Sequence, residues 1–287
     1  MKFPILKKSD FKCFVWSGSF RSLFVFSLGL LFSTSVWAII IRHDRADSRY
    51  RQFDNDYPQF FYLEERYGNK DCVATLIDEQ WAITAAHCVL DTPLKDISER
   101  QSYPLNVARE DNSIVNVVLH PDFNEDGLSE ERGVDLALLE LGLPVQVRPI
   151  PLSRQIEEAG QEVSFLGWGS TGLGTVGKTH NDGEFRRAYN YISDVNSLLE
   201  FSFGDPRENS EAVHLLEGIP GLGDSGGPAL LETDEGEVLI GVARGQLESD
   251  SLAQGQYGTT VVYERISLHL PWIEGVLLGK NYGLNSY

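Results

Sequence analysis

Gly223-Asp224-Ser225-Gly226-Gly227-Pro228 sets a serine hydroxyl on a backbone able to turn tightly and offer free N–H groups. Thr84-Ala85-Ala86-His87-Cys88 supplies an imidazole able to take the proton that a serine nucleophile must lose. Between them, Gly133-Val134-Asp135 heads the apolar run Leu136-Ala137-Leu138-Leu139-Glu140-Leu141. A buried Asp135 would accept a hydrogen bond from His87, fixing its tautomer and stabilising the imidazolium. In this order, His87, Asp135 and Ser225 suggest cleavage of an acyl bond, most naturally a peptide bond. An α/β-hydrolase would place its acid and histidine after the serine, so the order argues against that fold.

These strings, together with Gly167-Trp168-Gly169, the His-Pro-Asp-Phe run at 120–123 and the ending Tyr263…Trp272-Ile273, resemble the trypsin/chymotrypsin family of serine proteases over most of the chain. The resemblance implies an all-β fold: two packed six-stranded antiparallel β-barrels with a C-terminal helix and the active site between them. It implies Ser225 as nucleophile, His87 as general base and then general acid, Asp135 as orienting acid, and the N–H groups of Gly223 and Ser225 as the oxyanion hole. It also gives Asp224 a partner in the α-ammonium group of the mature N-terminus. The isoleucines of Ile39-Ile40-Ile41 fit that end, although the family's following glycines are replaced by Ile41 and Arg42.

The elements that must carry these residues read as short strands. Residues 73–77 and 81–84 flank a turn at 78–80. Further strands are expected at 114–119, 134–141, 161–166, 227–231, 237–243 and 259–263, with helical spacing over 267–278. The 27 glycines and 12 prolines suit a turn-rich β protein. The first barrel is expected at about 39–147, the second at about 148–266 and the helix at about 267–278. The segments 91–106, 122–133 and 170–186 read as surface loops, and 280–287 as a tail.

Residues 1–38 read as a secretory signal. Lys2, Lys7, Lys8, Lys12 and Arg21 precede an apolar stretch, and Val36 and Ala38 suit a cleavage site before Ile39. An uncleaved membrane anchor is the alternative. Cleavage would itself expose Ile39, so export alone would activate the enzyme. The product would be secreted or periplasmic, with no stable membrane association. Cleavage also removes one of the three cysteines, leaving Cys72 and Cys88. In an exported protein these are expected to pair, and the spacing matches the family's disulfide beside the histidine. Two buried free thiols are the alternative.

The net charge of −18 speaks against nucleic acid as a partner and favours solubility. The resemblance implies a protein or peptide substrate, and a monomer is expected. No metal or cofactor signature is present. Gly172-x-Gly174-x-x-Gly177 formally matches a dinucleotide string but lacks its strand–helix context. Specificity is read from Ile219, six residues before Ser225, where a preference for Lys or Arg would need an acid, and from Arg244 and Val261. Val261 would narrow the pocket toward small or medium apolar side chains. Arg244 is either a surface strand residue or an attractor of acidic side chains. The remaining alternatives are an idle binding protein on the same scaffold and a serine esterase.

Overall fold

The computed structural model describes residues 39–124, 133–209, 211–247 and 251–279. The expected signal, the tail and most of the 122–133 segment therefore lie outside the described residues. The strands are β1 (Ile39–Ile41), β2 (Phe60–Arg66), β3 (Asn69–Leu76), β4 (Trp81–Thr84), β5 (Tyr103–Val107), β6 (Glu110–Leu119), β7 (Ala137–Leu141), β8 (Glu162–Gly167), β9 (Ser170–Leu173), β10 (Gly177–Asn181), β11 (Arg186–Tyr191), β12 (Asp194–Val195), β13 (Leu198–Ser202), β14 (Gly218–Ile219), β15 (Pro228–Thr233), β16 (Gly236–Gln246) and β17 (Thr260–Arg265). Three α-helices accompany them among the described residues: α1 (Ala86–Asp91), α2 (Ile97–Arg100) and α3 (Ile266–Leu277).

The fold is mostly β, with two barrel-like sheets and a C-terminal helix. The first is antiparallel and six-stranded, in the order β2-β3-β4-β7-β6-β5. The second has seven strands rather than six, in the order β11-β8-β15-β16-β17-β13-β12, with the two-residue β12 as the extra edge. β7 is the centre of the first sheet, pairing with β4 through Ile83↔Leu138 and with β6 through Val118↔Leu138. Its leucines are buried on both faces, as a continuous apolar run requires. The 78–80 turn forms as expected, with Asp78 Oδ1 accepting the Gln80 N–H at 3.0 Å.

Alternation along the second sheet divides its side chains between two cores. Ala229, Leu231 and Ile240 pack with Phe165, Phe201 and Tyr263 inside the second sheet. Leu230, Leu239 and Val242 point the other way, into a core shared with Leu138, Leu139 and the α3 residues Ile266, Trp272 and Ile273. The two halves are therefore joined through one shared apolar core, while the second sheet keeps a core of its own.

Two expected loops are structured. Within 91–106 lie α2 and most of β5; Pro104 is tolerated because β5 is an edge strand, bonded only to β6. Within 170–186 lie β9 and β10, which join a four-stranded sheet in the order β10-β9-β1-β14. Gly172 permits this pairing, since a Cβ there would overlap the Gly177 carbonyl. Ile39–Ile41 thus packs with the second half, wholly buried beside Tyr50, Ala188 and Ile219.

Candidate active site

His87 sits in the first turn of α1, directly after β4. Asp135 precedes β7 and is 1% exposed. Because β4 and β7 are neighbours, Thr84 pairs with Ala137 and the two chains deliver both side chains to one end of the sheet. His87 Nδ1 is 2.6 Å from Asp135 Oδ2, and the His87 N–H donates to Asp135 Oδ1 at 2.8 Å. Two bonds from one residue to both carboxylate oxygens leave the imidazole little freedom to rotate. Burial pushes the Asp135 carboxyl up, but its bonds to His87 and the charge of Arg244 outweigh this and hold it below the usual range.

Behind Asp135 lies Glu264, which the sequence reading missed. The Asp135 N–H donates to Glu264 Oε1 at 2.9 Å, and Arg244 Nη1 donates to the same oxygen at 2.8 Å and to the Gly133 carbonyl at 2.8 Å. Glu264 is 2% exposed, and burial pushes its carboxyl up. The signal available was an acid in β17, directly after the apolar run Val261-Val262-Tyr263. Arg244 gains its reach from a register shift between Ala243 and Gly245. Its guanidinium is thus committed to an acid of the enzyme.

Ser225 lies in the turn before β15. The Val73 N–H donates to its carbonyl at 2.8 Å, and the Cys72 N–H donates to the Gly223 carbonyl at 2.9 Å. The next residue, Gly226, has φ +76°, and a Cβ on it would overlap Thr84 Oγ1 and Val73 O. The serine turn is therefore pressed against the segment leading to His87. The Cys72–Cys88 disulfide, with Cα atoms 5.8 Å apart, ties β3 to α1 at the same place. His87 Nε2 lies 3.8 Å from Cys88 Sγ, and Ser225 Oγ makes no hydrogen bond among the described residues.

The amides of the turn alternate. The N–H groups of Asp224 and Gly226 donate to Gly221 O (3.1 Å) and Ala243 O (2.8 Å). Those of Gly223 and Ser225 have no acceptor among the described residues. Gly223, at φ +99°, turns its peptide as a side-chain-bearing residue could not do without strain. Two neighbouring unpaired donors suit an oxygen that gains negative charge.

Asp224 turns inward and is 2% exposed. Its oxygens accept the N–H groups of Gly169 at 2.6 Å and Gly221 at 2.8 Å, yet burial pushes its carboxyl up to about 7. β1 runs between β9 and β14, the strands adjoining those donors. Ile39 pairs with Thr171, two residues after Gly169, and Ile40 pairs with Ile219, two residues before Gly221. The register carries the nitrogen of Ile39 toward the carboxylate that these donors hold.

A cavity of about 190 Å³ opens beside Ser225, walled by Leu222, Ala243, Arg244, Gly245, Gln246 and Val261 among others. Ile219 is not on this wall; it is fully buried in β14 against Ile40. Among the described residues no carboxylate lines the cavity. The grouping of Cys72, His87 and Cys88 could suggest a metal, but both sulfurs are committed to the disulfide. No helix among the described residues is long and apolar enough to cross a membrane.

Similarity to known proteins extends over most of the chain. The family model described as Trypsin matches residues 49–273, a span that includes His87, Asp135 and Ser225 but not Ile39–Ile41. Human Kallikrein-12 is 28% identical over 72% of this chain and 80% of its own length. A trypsin of Phaedon cochleariae is 26% identical over 76% of this chain and 83% of its own, and Serine protease SSP1 of Scolopendra subspinipes is 26% identical over 82% and 84%. The solved structure of neuropsin, a serine protease expressed in the limbic system of mouse brain, superposes with a TM-score of 0.58 at 18% identity, covering 79% of this chain and 98% of that one.

Proposed function

Because this chain belongs to the trypsin family and is a serine endopeptidase acting on peptide or protein substrates, we propose that it cleaves through Ser225, with His87 and Asp135 behind it. The observation that carries this reading is the doubly bonded, buried His87–Asp135 pair beside the serine turn. With Nδ1 occupied by Asp135, Nε2 is the nitrogen that takes the Ser225 proton. Oγ then bonds to the scissile carbonyl carbon, and the carbonyl oxygen gains the charge received by the Gly223 and Ser225 N–H groups. The proton on Nε2 passes to the leaving amine as the C–N bond breaks, and water repeats the sequence to free the acid. Catalytic hydrogen bonds often close only in the substrate complex, so the open Ser225 Oγ is compatible with this role.

The cavity supports a small or medium apolar residue before the scissile bond. Its described wall offers Ala243 and Val261, no carboxylate, and an arginine already paired with Glu264. A lysine placed there would lose hydration without a counter-charge.

Ile39 is the mature N-terminus in this reading, released when the 1–38 leader is removed during export, and its ammonium pairs with Asp224. Three observations support it: the register of β1, the carboxyl raised to about 7, and a φ of +54° at Ile39. A β-branched residue avoids that φ, and a chain that starts at Ile39 has no such torsion to satisfy. Burial of the pair matters mainly as a switch. N-terminal sequencing of exported protein checks it, and a start beyond Ile41 refutes it. For the catalytic reading, a fluorophosphonate probe should label one residue, mapped to Ser225 by peptide mass. Labelling retained by Ser225→Ala would overturn the assignment.

A further inference from the structure

We propose that Asp71 makes this enzyme prefer peptides with a lysine or arginine just after the scissile bond, on the leaving side. The proposal rests on the catalytic reading above and adds a substrate class to it. Asp71 precedes Cys72 in β3, the strand whose Cys72 and Val73 N–H groups bond the carbonyls of Gly223 and Ser225. That pairing brings Asp71 Oδ1 within 2.9 Å of where a Cβ on Gly223 would lie. A carboxylate thus stands against the residue whose N–H receives the developing oxyanion.

Its side of the site follows from the proton path. The leaving amine must take its proton from His87, so the leaving half of the substrate lies on the first sheet's side of Ser225. Asp71 is on that side, because the disulfide ties its neighbour Cys72 to Cys88, next to His87. The cavity for the acyl half is built from Ala243, Gly245, Gln246 and Val261, in the second sheet.

Asp71 is half-buried. Among the described residues no hydrogen bond or ion pair balances it, and the charge of Arg66 offsets it only in part. The residue opposite it in β2 is another acid, Glu64. The nearby cations are committed elsewhere: Arg66 Nε to Glu64 at 2.6 Å, and Lys70 Nζ to the Gly183 carbonyl at 3.2 Å and over the rings of Tyr62 and Trp168. Burial and Glu64 push the Asp71 carboxyl up against the smaller opposing influence of Arg66, as expected of a carboxylate without a direct counter-ion. A cationic side chain arriving on the leaving side would supply the missing charge and relieve repulsion on the oxyanion. An acidic one would add to that repulsion. The net charge of −18 draws basic peptides to the surface as well.

The test uses the active full-length mature enzyme and peptides that differ only at the first two positions after the cleaved bond, with Lys, Ala or Glu there. The readout is the ratio of kcat/KM values within one protein, so a change in overall activity cancels. Wild type should prefer Lys to Ala by about five- to ten-fold and disfavour Glu by a similar factor. The preference should shrink as salt rises. Asp71→Asn should bring the Lys/Ala ratio within about two-fold, and Asp71→Ser provides a second variant should the first misfold. A flat ratio in wild type, or a full preference surviving substitution, overturns the proposal. Failure to hydrolyse any peptide would instead remove the catalytic reading on which the proposal rests.

Discussion

Gly226→Ala is the sharpest single perturbation of the contact that presses the Ser225 turn against the segment leading to His87. Gly226 has φ +76°, which costs an L-residue about 1–2 kcal/mol. The new methyl would overlap Thr84 Oγ1 and Val73 O and lie 3.0 Å from the Ala85 nitrogen. Thr84 Oγ1 donates to Val73 O at 2.8 Å, so neither can swing aside without breaking a buried bond, about 1 kcal/mol. Overpacking of this kind adds about 1–3 kcal/mol. The sum is about 3–6 kcal/mol, a fall in Tm on the order of 10–20 °C for a domain of this size. Relief must come from parting the two segments, and a misplacement of about 1 Å is enough for a loss of about 100-fold in kcat/KM. Calorimetry and peptide hydrolysis, measured at a temperature where the variant is still folded, check both numbers. Gly236→Ala is the comparison, because it has φ +110° but nothing within 4 Å; it should lose stability from strain alone and keep its kcat/KM. A Gly226→Ala protein within three-fold of wild-type kcat/KM would refute the reasoning that this contact positions the nucleophile.

Replacing Cys72 and Cys88 together by alanine opens a loop of sequence separation 16 and should cost about 3 kcal/mol in urea unfolding under non-reducing conditions; a loss under 1 kcal/mol would contradict the constraint assigned to the bond. Glu217 is buried, accepts the Gly204 and His214 N–H groups, and has its carboxyl pushed up to about 7 by burial. Between the unfolded value near 4.5 and about 7 the unfolded chain ionises while the folded one holds its proton, so this group lowers stability as pH rises, by about 3 kcal/mol in total. Urea midpoints across that window should fall less steeply for Glu217→Gln, and parallel slopes would count against the shift. Glu264→Ala removes the acceptor shared by the Asp135 N–H and Arg244, and should destabilise by about 2–4 kcal/mol. An unchanged unfolding midpoint would show that the buried network does not hold Asp135.

The proposed reacting groups could be picked out because such catalysis restricts residue type and order: few substitutes exist for a serine between glycines, a histidine and a buried acid. Hairpins such as β3–β4 and β15–β16 were legible too, since their pairing is local and their apolar residues alternate. The sheet formed by β10, β9, β1 and β14 was not. Its central strand pairs with partners more than a hundred residues away, and the glycines at 172, 174 and 177 carry no apolar pattern, so close backbone approach looked like a loop. Glu264, and the pairing of Arg244 with it, escaped for a related reason. Each is a charged residue in a strand, and only the fold reveals that they meet behind Asp135. Asp71 likewise has no sequence signature; its meaning comes from β3 lying against Gly223.

Pre-steady-state hydrolysis of an activated ester or amide tests the covalent role of Ser225 most directly. Protein beginning at Ile39 should release a burst of leaving group close to one equivalent per enzyme, and mass spectrometry of the quenched sample should find the acyl group on Ser225. Ser225→Ala should give neither burst nor adduct. Full turnover by Ser225→Ala, or an acyl group on any other residue, would contradict it.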